Sequence, residues 1–152
     1  MQRTRFDDKL CPIARSVDLV GDWWTPLILR DACAGVRRFE DFQANLSIPR
    51  ATLTSRLQRL VDAQMLRKEQ YQQHPPRHEY RLTRKGAEFY PILAAMFQWG
   101  SDWLYPNEDG EPTTPDLRLI DAETGRELHP QVVDRHTGEP IDVRRTRLAV
   151  RE

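Results

Sequence analysis

The chain has 152 residues, of which 39% are hydrophobic and 30% charged, and its formal net charge is zero. This composition predicts one ordinary soluble domain with a modest core and room for a small appendage. No apolar run approaches the roughly 18 residues of a membrane span, and the N-terminus lacks the apolar segment of a signal peptide, so we expect a cytoplasmic protein. The two cysteines, Cys11 and Cys33, belong to no metal motif, which argues against a disulfide framework.

The charges are unevenly spread along the chain. Residues 50–85 contain nine basic and three acidic residues, a local net charge of +6 in a neutral protein. Such a segment indicates a site for a polyanion, although a solvated charged surface is the simpler alternative.

Two helices are predicted at the start of the chain. Pro12 suits the first position of a helix that runs to Val20 and is stopped by Gly21. Thr25 is the predicted cap of a second, largely buried helix that Gly35 ends.

A tight Ser-Ile-Pro turn separates the next two predicted helices. Residues 39–45 form a short helix, and residues 50–63 form an amphipathic one. The stripe that should face the core consists of Leu53, Leu57, Leu60, Val61 and Gln64. Residues 66–73 and 78–82 then predict two strands joined by a stiff, basic, proline-rich tip.

The last third of the chain predicts a long helix, a linker and a repeat. Thr83 can cap the helix, and Pro91 should kink it or shift its start. Residues 105–116 read as a linker because they are rich in proline, glycine and acid. Two segments 13 residues apart follow, and each predicts a strand, a Thr-Gly turn and a strand: residues 119–128 and 132–141.

A short helix, a tight turn, an amphipathic helix and a hairpin together predict a winged helix-turn-helix. The expected fold class is mainly α with a β-hairpin wing, plus a small β-hairpin C-terminal extension. In this fold the second helix of the motif enters the major groove of DNA. With the leucines facing the core, Thr52, Ser55 and Arg59 should point away, with Arg56 beside them. These residues, and Arg50 at the helix start, are predicted DNA contacts; a solvated polar helix face is the alternative.

The proline-rich tip would then lie near the adjacent minor groove. Prolines stiffen the tip and reduce the entropy that it loses on ordering. Arg77 suits a narrow minor groove, and His74 and His78 are predicted to contact phosphates. The alternative is an exposed loop without a role in binding.

Residues 11–104 resemble the HxlR-type transcriptional regulators, winged-helix relatives of the MarR group. Three runs carry the resemblance, in order: CPIARSVDLVGDWWTPLILRD, RRFEDFQANLSIPRATLTSRLQRLV and PPRHEYRLTRKG. The resemblance implies a homodimer that binds double-stranded operator DNA, and we expect this dimer to act as a repressor. It also implies that helices outside the winged core form the dimer interface. There are two departures: Trp23 stands where the family usually has a lysine or similar polar residue, and Ala63-Gln64-Met65 occupies a turn where a glycine is common.

Large apolar side chains are concentrated in the last predicted helix. They are Phe89, Tyr90, Ile92, Leu93, Met96, Phe97, Trp99, Trp103 and Leu104. One small domain cannot bury them all, so a two-fold partner should cover them; coverage by the C-terminal tail is the alternative. Some aromatic residues are instead candidates for a small-molecule effector pocket, with ordinary packing as the alternative: Trp23, Trp24, Phe97, Trp99 and Trp103.

Cys11 is a candidate redox sensor. It precedes Pro12 at a predicted helix N-terminus, where the helix dipole favours the thiolate. The resemblance supports this role, since a cysteine at this place is common in the family and senses oxidants in some members. A half-buried cysteine without a signalling role is the alternative.

The expected domains are a winged-helix DNA-binding and dimerisation domain (1–104), the linker and an extension (117–152). The extension resembles a zinc ribbon without its cysteines; two histidines with assorted acids do not define a zinc site, so we expect no metal or other cofactor. No catalytic triad, phosphate loop or carboxylate pair indicates an enzyme. The remaining alternative is a winged-helix module that binds protein, which the polar and cationic recognition face disfavours.

Overall fold

The structure is a computed structural model, and it describes residues 11–105 and 117–149. The chain forms two compact units that divide between Tyr90 and Pro91, earlier than the boundary at residue 104 suggested by the sequence. The predicted linker lies almost entirely outside the described residues, and the predicted domain limits stay a prediction. No helix among the described residues is long and apolar enough to cross a membrane.

The first unit has the element order of a winged helix-turn-helix. Its elements are α1 (Pro12–Val20), α2 (Thr25–Cys33), α3 (Phe39–Leu46), α4 (Arg50–Asp62), β1 (Leu66–Gln72), β2 (Arg77–Leu82) and α5 (Arg84–Ala87). These bounds confirm the predicted elements to within one or two residues, except that the predicted final helix is divided.

The start of α2 differs from the prediction that Thr25 caps it. The Asp22 carboxylate accepts hydrogen bonds from the backbone amides of Trp24 and Thr25, both at 3.0 Å, and from the Thr25 hydroxyl at 2.5 Å. Thr25 is instead the first residue of the helix and is buried. The carboxylate of Asp22 therefore satisfies the amides that a helix start leaves free.

A single apolar core holds α2, α3 and α4 together. Its most buried side chains are Ile28, Leu29, Phe42, Ile48, Leu53, Leu57, Leu60, Met65 and Leu66. The three leucines of α4 confirm most of the predicted stripe, but Gln64 does not belong to it. The helix ends at Asp62, and Gln64 is exposed with a φ of +57°, a conformation that favours glycine.

The wing is an antiparallel hairpin with an irregularity near its tip. Leu66 pairs with Leu82, and the register shifts between Gln70 and Gln72, so Tyr71 has no partner across the hairpin. The Tyr80 amide also donates to the Arg37 carbonyl at 2.7 Å, which joins the wing to the segment before α3.

The predicted final helix is two helices. Thr83 caps α5 by accepting a hydrogen bond from the Gly86 amide at 3.1 Å, and α6 spans Tyr90–Trp103. Pro91 thus shifts the start of the long helix, one of the two outcomes expected. Gly86 packs so tightly that a Cβ atom would lie 2.1 Å from the Met65 carbonyl oxygen.

The two copies of the C-terminal repeat have the same geometry. The Asp121 carboxylate accepts the Thr124 amide at 2.7 Å, and Asp134 accepts the Thr137 amide at 2.9 Å. A glycine in the left-handed region completes each turn, with φ of +69° and +71°. Each copy then closes with one antiparallel bridge, Ile120 to Glu127 and Val133 to Pro140. The predicted hairpins are therefore present as turns with single bridges and not as extended strands.

Candidate nucleic-acid interface

The outward face of α4 carries short, uncharged polar side chains. Ser55 is exposed, as predicted, and Thr54 and Gln58 beside it are exposed as well, whereas Thr52 is half-buried. The Gln58 side-chain amide donates to Asp62 at 2.8 Å, within the same helix. This strip offers hydrogen-bonding groups of the kind that read base edges.

Two arginines of α4 turn toward α1 and the loop before α2. Arg56 Nε lies 3.0 Å from Asp22 Oδ1, and the two side chains are 26% and 13% exposed. Arg59 Nη2 lies 3.7 Å from the Asp18 carboxylate and donates to the Asp18 carbonyl. The orientation predicted for Arg59 is therefore corrected: at about 100° per residue it lies on the flank of α4, beside Leu60, where the carboxylates attract it.

Asp22 has two structural roles: it caps the start of α2 and it forms an ion pair with Arg56 of α4. Burial by itself raises the pKa of Asp22, but hydrogen bonds from Thr25 and Trp24 and the charge of Arg56 outweigh it, and the pKa is lowered. Asp22 is therefore ionised at neutral pH, and it both caps α2 and holds Arg56.

A second cluster of cations lies between the wing and the starts of α3 and α4. Arg38 stacks over Tyr71 with its guanidinium carbon 5.0 Å from the ring centre. Arg50 lies 4.9 Å above Phe39 in the same way, and Lys68 lies 6.0 Å from the Tyr80 ring. These residues line an open cavity of about 540 Å³, here named the basic groove, together with Glu40, Asp41, Pro76, Arg77 and His78.

Sequence reasoning missed two members of the basic groove. Arg38 precedes the basic segment of residues 50–85, and Lys68 was counted in it without a role. Arg38 contacts Tyr71 and Lys68 contacts Tyr80, and both rings are distant in sequence, so the stacking was not visible in the pattern. The remaining signal was the Arg37-Arg38 pair directly before a predicted helix.

The wing tip is exposed, whereas Arg67 and Arg81 of the wing are ion-paired. His74, Arg77 and His78 are all exposed. Arg81, in contrast, lies 2.7 Å from Glu79 and 3.0 Å from Glu69. The cations that the basic segment offers to a polyanion are thus fewer than its count suggests.

The two cysteines have different surroundings. Cys11 is half-buried at the N-terminal end of α1, as the prediction placed it. Cys33 is half-buried at the end of α2, and burial raises the pKa of its thiol, which disfavours the reactive thiolate. The sensor role of Cys11 stays a prediction.

The candidate pocket aromatics differ in exposure. Trp24 and Phe97 are half-buried, whereas Trp99 and Trp103 are exposed and Trp23 is 90% exposed. The effector pocket itself stays a prediction. Within the described ranges, no three His, Cys, Asp or Glu side chains group as a metal site.

Comparison with known proteins decides the family. The model of a family described as HxlR-like helix-turn-helix matches residues 19–108. The chain belongs to the HxlR-like helix-turn-helix family. An HTH-type transcriptional regulator of Mycobacterium tuberculosis is 40% identical over 132 residues, which cover 87% of this chain and 80% of that protein. Membership makes this HxlR-like chain a DNA-binding regulator of transcription, in a family of regulators and not of enzymes.

Solved structures share the fold. PA1607, a candidate transcription factor, is 33% identical with a TM-score of 0.83, and the match covers 96% of this chain and 99% of that one. The reduced form of HypR, described as a redox regulator, is 32% identical with a TM-score of 0.56, covering 59% of this chain and 90% of that one. The predicted winged helix-turn-helix is thereby confirmed, and the first match extends through the C-terminal extension.

Proposed function

We propose that this HxlR-like protein is a repressor that binds a specific operator as a homodimer. The observation that carries the proposal is an exposed polar face on α4 beside an exposed cationic wing tip, in one compact unit. In this arrangement α4 enters the major groove and the wing tip lies at the next minor groove. The proposed contacts are Arg50, Thr52, Ser55, Arg56 and Arg59 from α4, and His74, Arg77 and His78 from the wing.

These contacts divide by the chemistry of each side chain. Ser55 faces outward and suits a base edge. Arg56 and Arg59 lie on the flank of α4, and each forms an ion pair with a carboxylate. From this position they suit contacts with phosphates better than contacts with guanine edges. Arg77 at the tip suits the strong negative potential of a narrow minor groove.

A stripe on α6 supports the homodimer. Ile92, Met96, Trp99 and Trp103 are between 50% and 73% exposed. Their spacing of four, three and four residues is that of a helix seam that packs against another helix. A second copy related by a two-fold axis would bury the same stripe on both chains.

The proposed signal is a thiol-reactive or aromatic small molecule. Cys11 at the start of α1 supports the first, since HypR, a similar protein, is described as a redox regulator. The exposed tryptophans support the second. We propose the cytoplasm as the location of the protein, since it is a regulator of transcription.

Fluorescence anisotropy with the DNA just upstream of the protein's own gene tests the proposal. We expect binding that is tighter than to a random duplex of equal length and that weakens steeply with salt. Diamide should release the DNA from wild type and not from Cys11→Ser. Equal affinity for both duplexes would contradict operator binding, and equal diamide sensitivity in the variant would contradict the sensor.

Sedimentation measurements test the dimer separately. Met96→Glu places two like charges across the proposed seam, and it should reduce the mass from that of two 17.9 kDa chains to that of one. Because Met96 is half exposed in the single chain, the variant should keep its helical circular dichroism. A variant that remains a dimer would place the interface elsewhere.

A further inference from the structure

The basic groove has an unusual balance of charges. It contains four permanent cations, Arg38, Arg50, Lys68 and Arg77, and two carboxylates, Glu40 and Asp41. None of the four cations forms an ion pair with another residue in the described ranges, whereas the neighbouring Arg67 and Arg81 do. The four cations of the groove therefore keep their positive charge available for a ligand, whereas carboxylates of the wing neutralise Arg67 and Arg81.

Stacking holds the guanidinium groups in place. The guanidinium carbons of Arg38 and Arg50 lie over the rings of Tyr71 and Phe39, 5.0 and 4.9 Å from the ring centres. A guanidinium that stacks by its face leaves its N–H edge free to donate, and it loses less rotamer entropy when it binds an anion. Tyr71 can reach Arg38 because it lies at the irregular position of β1, between Gln70 and Gln72.

A phosphate group matches this chemistry. Arginine edges bind phosphate oxygens by paired, charge-assisted hydrogen bonds. The lining also offers the Tyr80 hydroxyl, which burial and the neighbouring Glu40 keep protonated by raising its pKa. The groove is bounded by the starts of α3 and α4 on one side and by the wing on the other, the elements that lie against the duplex in this fold.

We infer that the basic groove seats a backbone phosphate of the DNA duplex between α3 and the wing, with Arg38 and Arg50 as its ligands and with Tyr71 and Phe39 as the residues that position them. The inference rests on the proposed function and adds a contact that fixes the position of the duplex without reading its sequence. Arg38 and Tyr71 are new members of the interface. Glu40 opposes the phosphate and limits its affinity.

Four variants of the full-length protein test the groove by anisotropy, on the upstream DNA and on a random duplex. Arg38→Ala should weaken binding to both duplexes by a similar factor, about tenfold at low salt, and lower the salt slope by about one. Tyr71→Phe keeps the ring and should bind as wild type does, whereas Tyr71→Leu should lose about threefold. Glu40→Gln should bind more tightly, because it removes a repelling charge.

A double variant separates positioning from folding. If Tyr71 acts through Arg38, Tyr71→Leu should cost nothing further in a protein that already carries Arg38→Ala. When a methylphosphonate replaces one phosphate at a time, the DNA affinity of wild type should fall at one particular position. The affinity of Arg38→Ala should not change at that position. Independent losses in the double variant would contradict the positioning role.

Other outcomes would overturn the inference without touching the proposed function. If Arg38→Ala binds both duplexes as wild type does, while Arg77→Ala and Ser55→Ala lose affinity, the protein binds DNA and the groove does not. If inorganic phosphate raises the melting temperature of wild type saturably but not of Arg38→Ala, with DNA affinity unchanged, the groove is a small-anion site. Failure of wild type to bind any duplex would instead refute the proposed function.

Discussion

Asp22 is the residue on which the corner of α1, α2 and α4 depends, and its removal should be costly. Asp22→Ala deletes three hydrogen bonds at the start of α2, two from backbone amides at 3.0 Å and one from a hydroxyl at 2.5 Å. Loss of a helix cap costs about 1 kcal/mol of unfolding free energy. The partner Arg56 is 26% exposed, so its lost ion pair should add about 1 kcal/mol, well below the cost for a fully buried charge. Together these effects predict a loss of about 2 kcal/mol.

Asp22→Asn separates the cap from the charge. Asparagine is also a good cap, because its side-chain oxygen can accept the same amides, so only the charge should be lost, at about 1 kcal/mol. Because the folded pKa of Asp22 lies below the ordinary value of 3.8, its charge stabilises the fold above that pH, and the benefit is lost as pH falls through the folded pKa. The difference between wild type and Asp22→Asn should therefore be constant near neutral pH and shrink in acid below about pH 4.

Urea unfolding followed by circular dichroism measures both variants. Glu88→Ala is the matched control, since its ion pair with Arg84 is exposed and should contribute less than about 0.5 kcal/mol. An Asp22→Ala protein as stable as the control would refute the role of this corner. Equal losses in the alanine and asparagine variants would show that the charge, and not the cap, carries the effect.

Three further predictions concern single positions. Gly86→Ala should destabilise the protein by roughly 2 kcal/mol in urea unfolding, because its Cβ would lie 2.1 Å from the Met65 carbonyl oxygen. An unfolding midpoint equal to that of wild type would contradict this close approach of Gly86 to Met65. Gln64→Gly should raise stability by about 0.5 kcal/mol, since the backbone has a φ of +57°, and a lower melting temperature would contradict it. Arg77→Ala should weaken binding to all duplexes and reduce the salt slope by about one, and an unchanged slope would remove the wing tip from the interface.

The fold was predictable because its signals are local. The leucine spacing of α4, the Ser-Ile-Pro turn before it and the two strands after it each depend on neighbouring residues. The errors arose at the ends of helices, where a single side chain or the last helical residue decides the conformation. Asp22 replaced Thr25 as the cap because the carboxylate reaches two amides, and Gln64 was assigned to a stripe although the helix ends two residues earlier.

The site was less predictable because charge in a sequence does not show which charges are paired. Arg59 is on α4 as predicted, yet Asp18 of α1 holds it, 41 positions earlier in the chain. Arg38 is outside the basic segment, yet Tyr71 brings it to the wing. Both contacts join residues more than 30 positions apart, and helical or strand periodicity contains no information about such pairs.

The pairing of arginines with carboxylates divides α4 into three faces with separate roles. Leu53, Leu57 and Leu60 fix the helix in the core, and the flank that carries Arg56 and Arg59 binds it to the α1 corner. The third face, with Ser55, is exposed and is the face that we propose for contacts with bases. Because Asp18 lies on α1, a displacement of α1 would act on α4 through the ion pair between Asp18 and Arg59. If α4 enters the major groove as proposed, a signal received at the start of α1 would therefore need no contact of its own with DNA to change the position of α4 there.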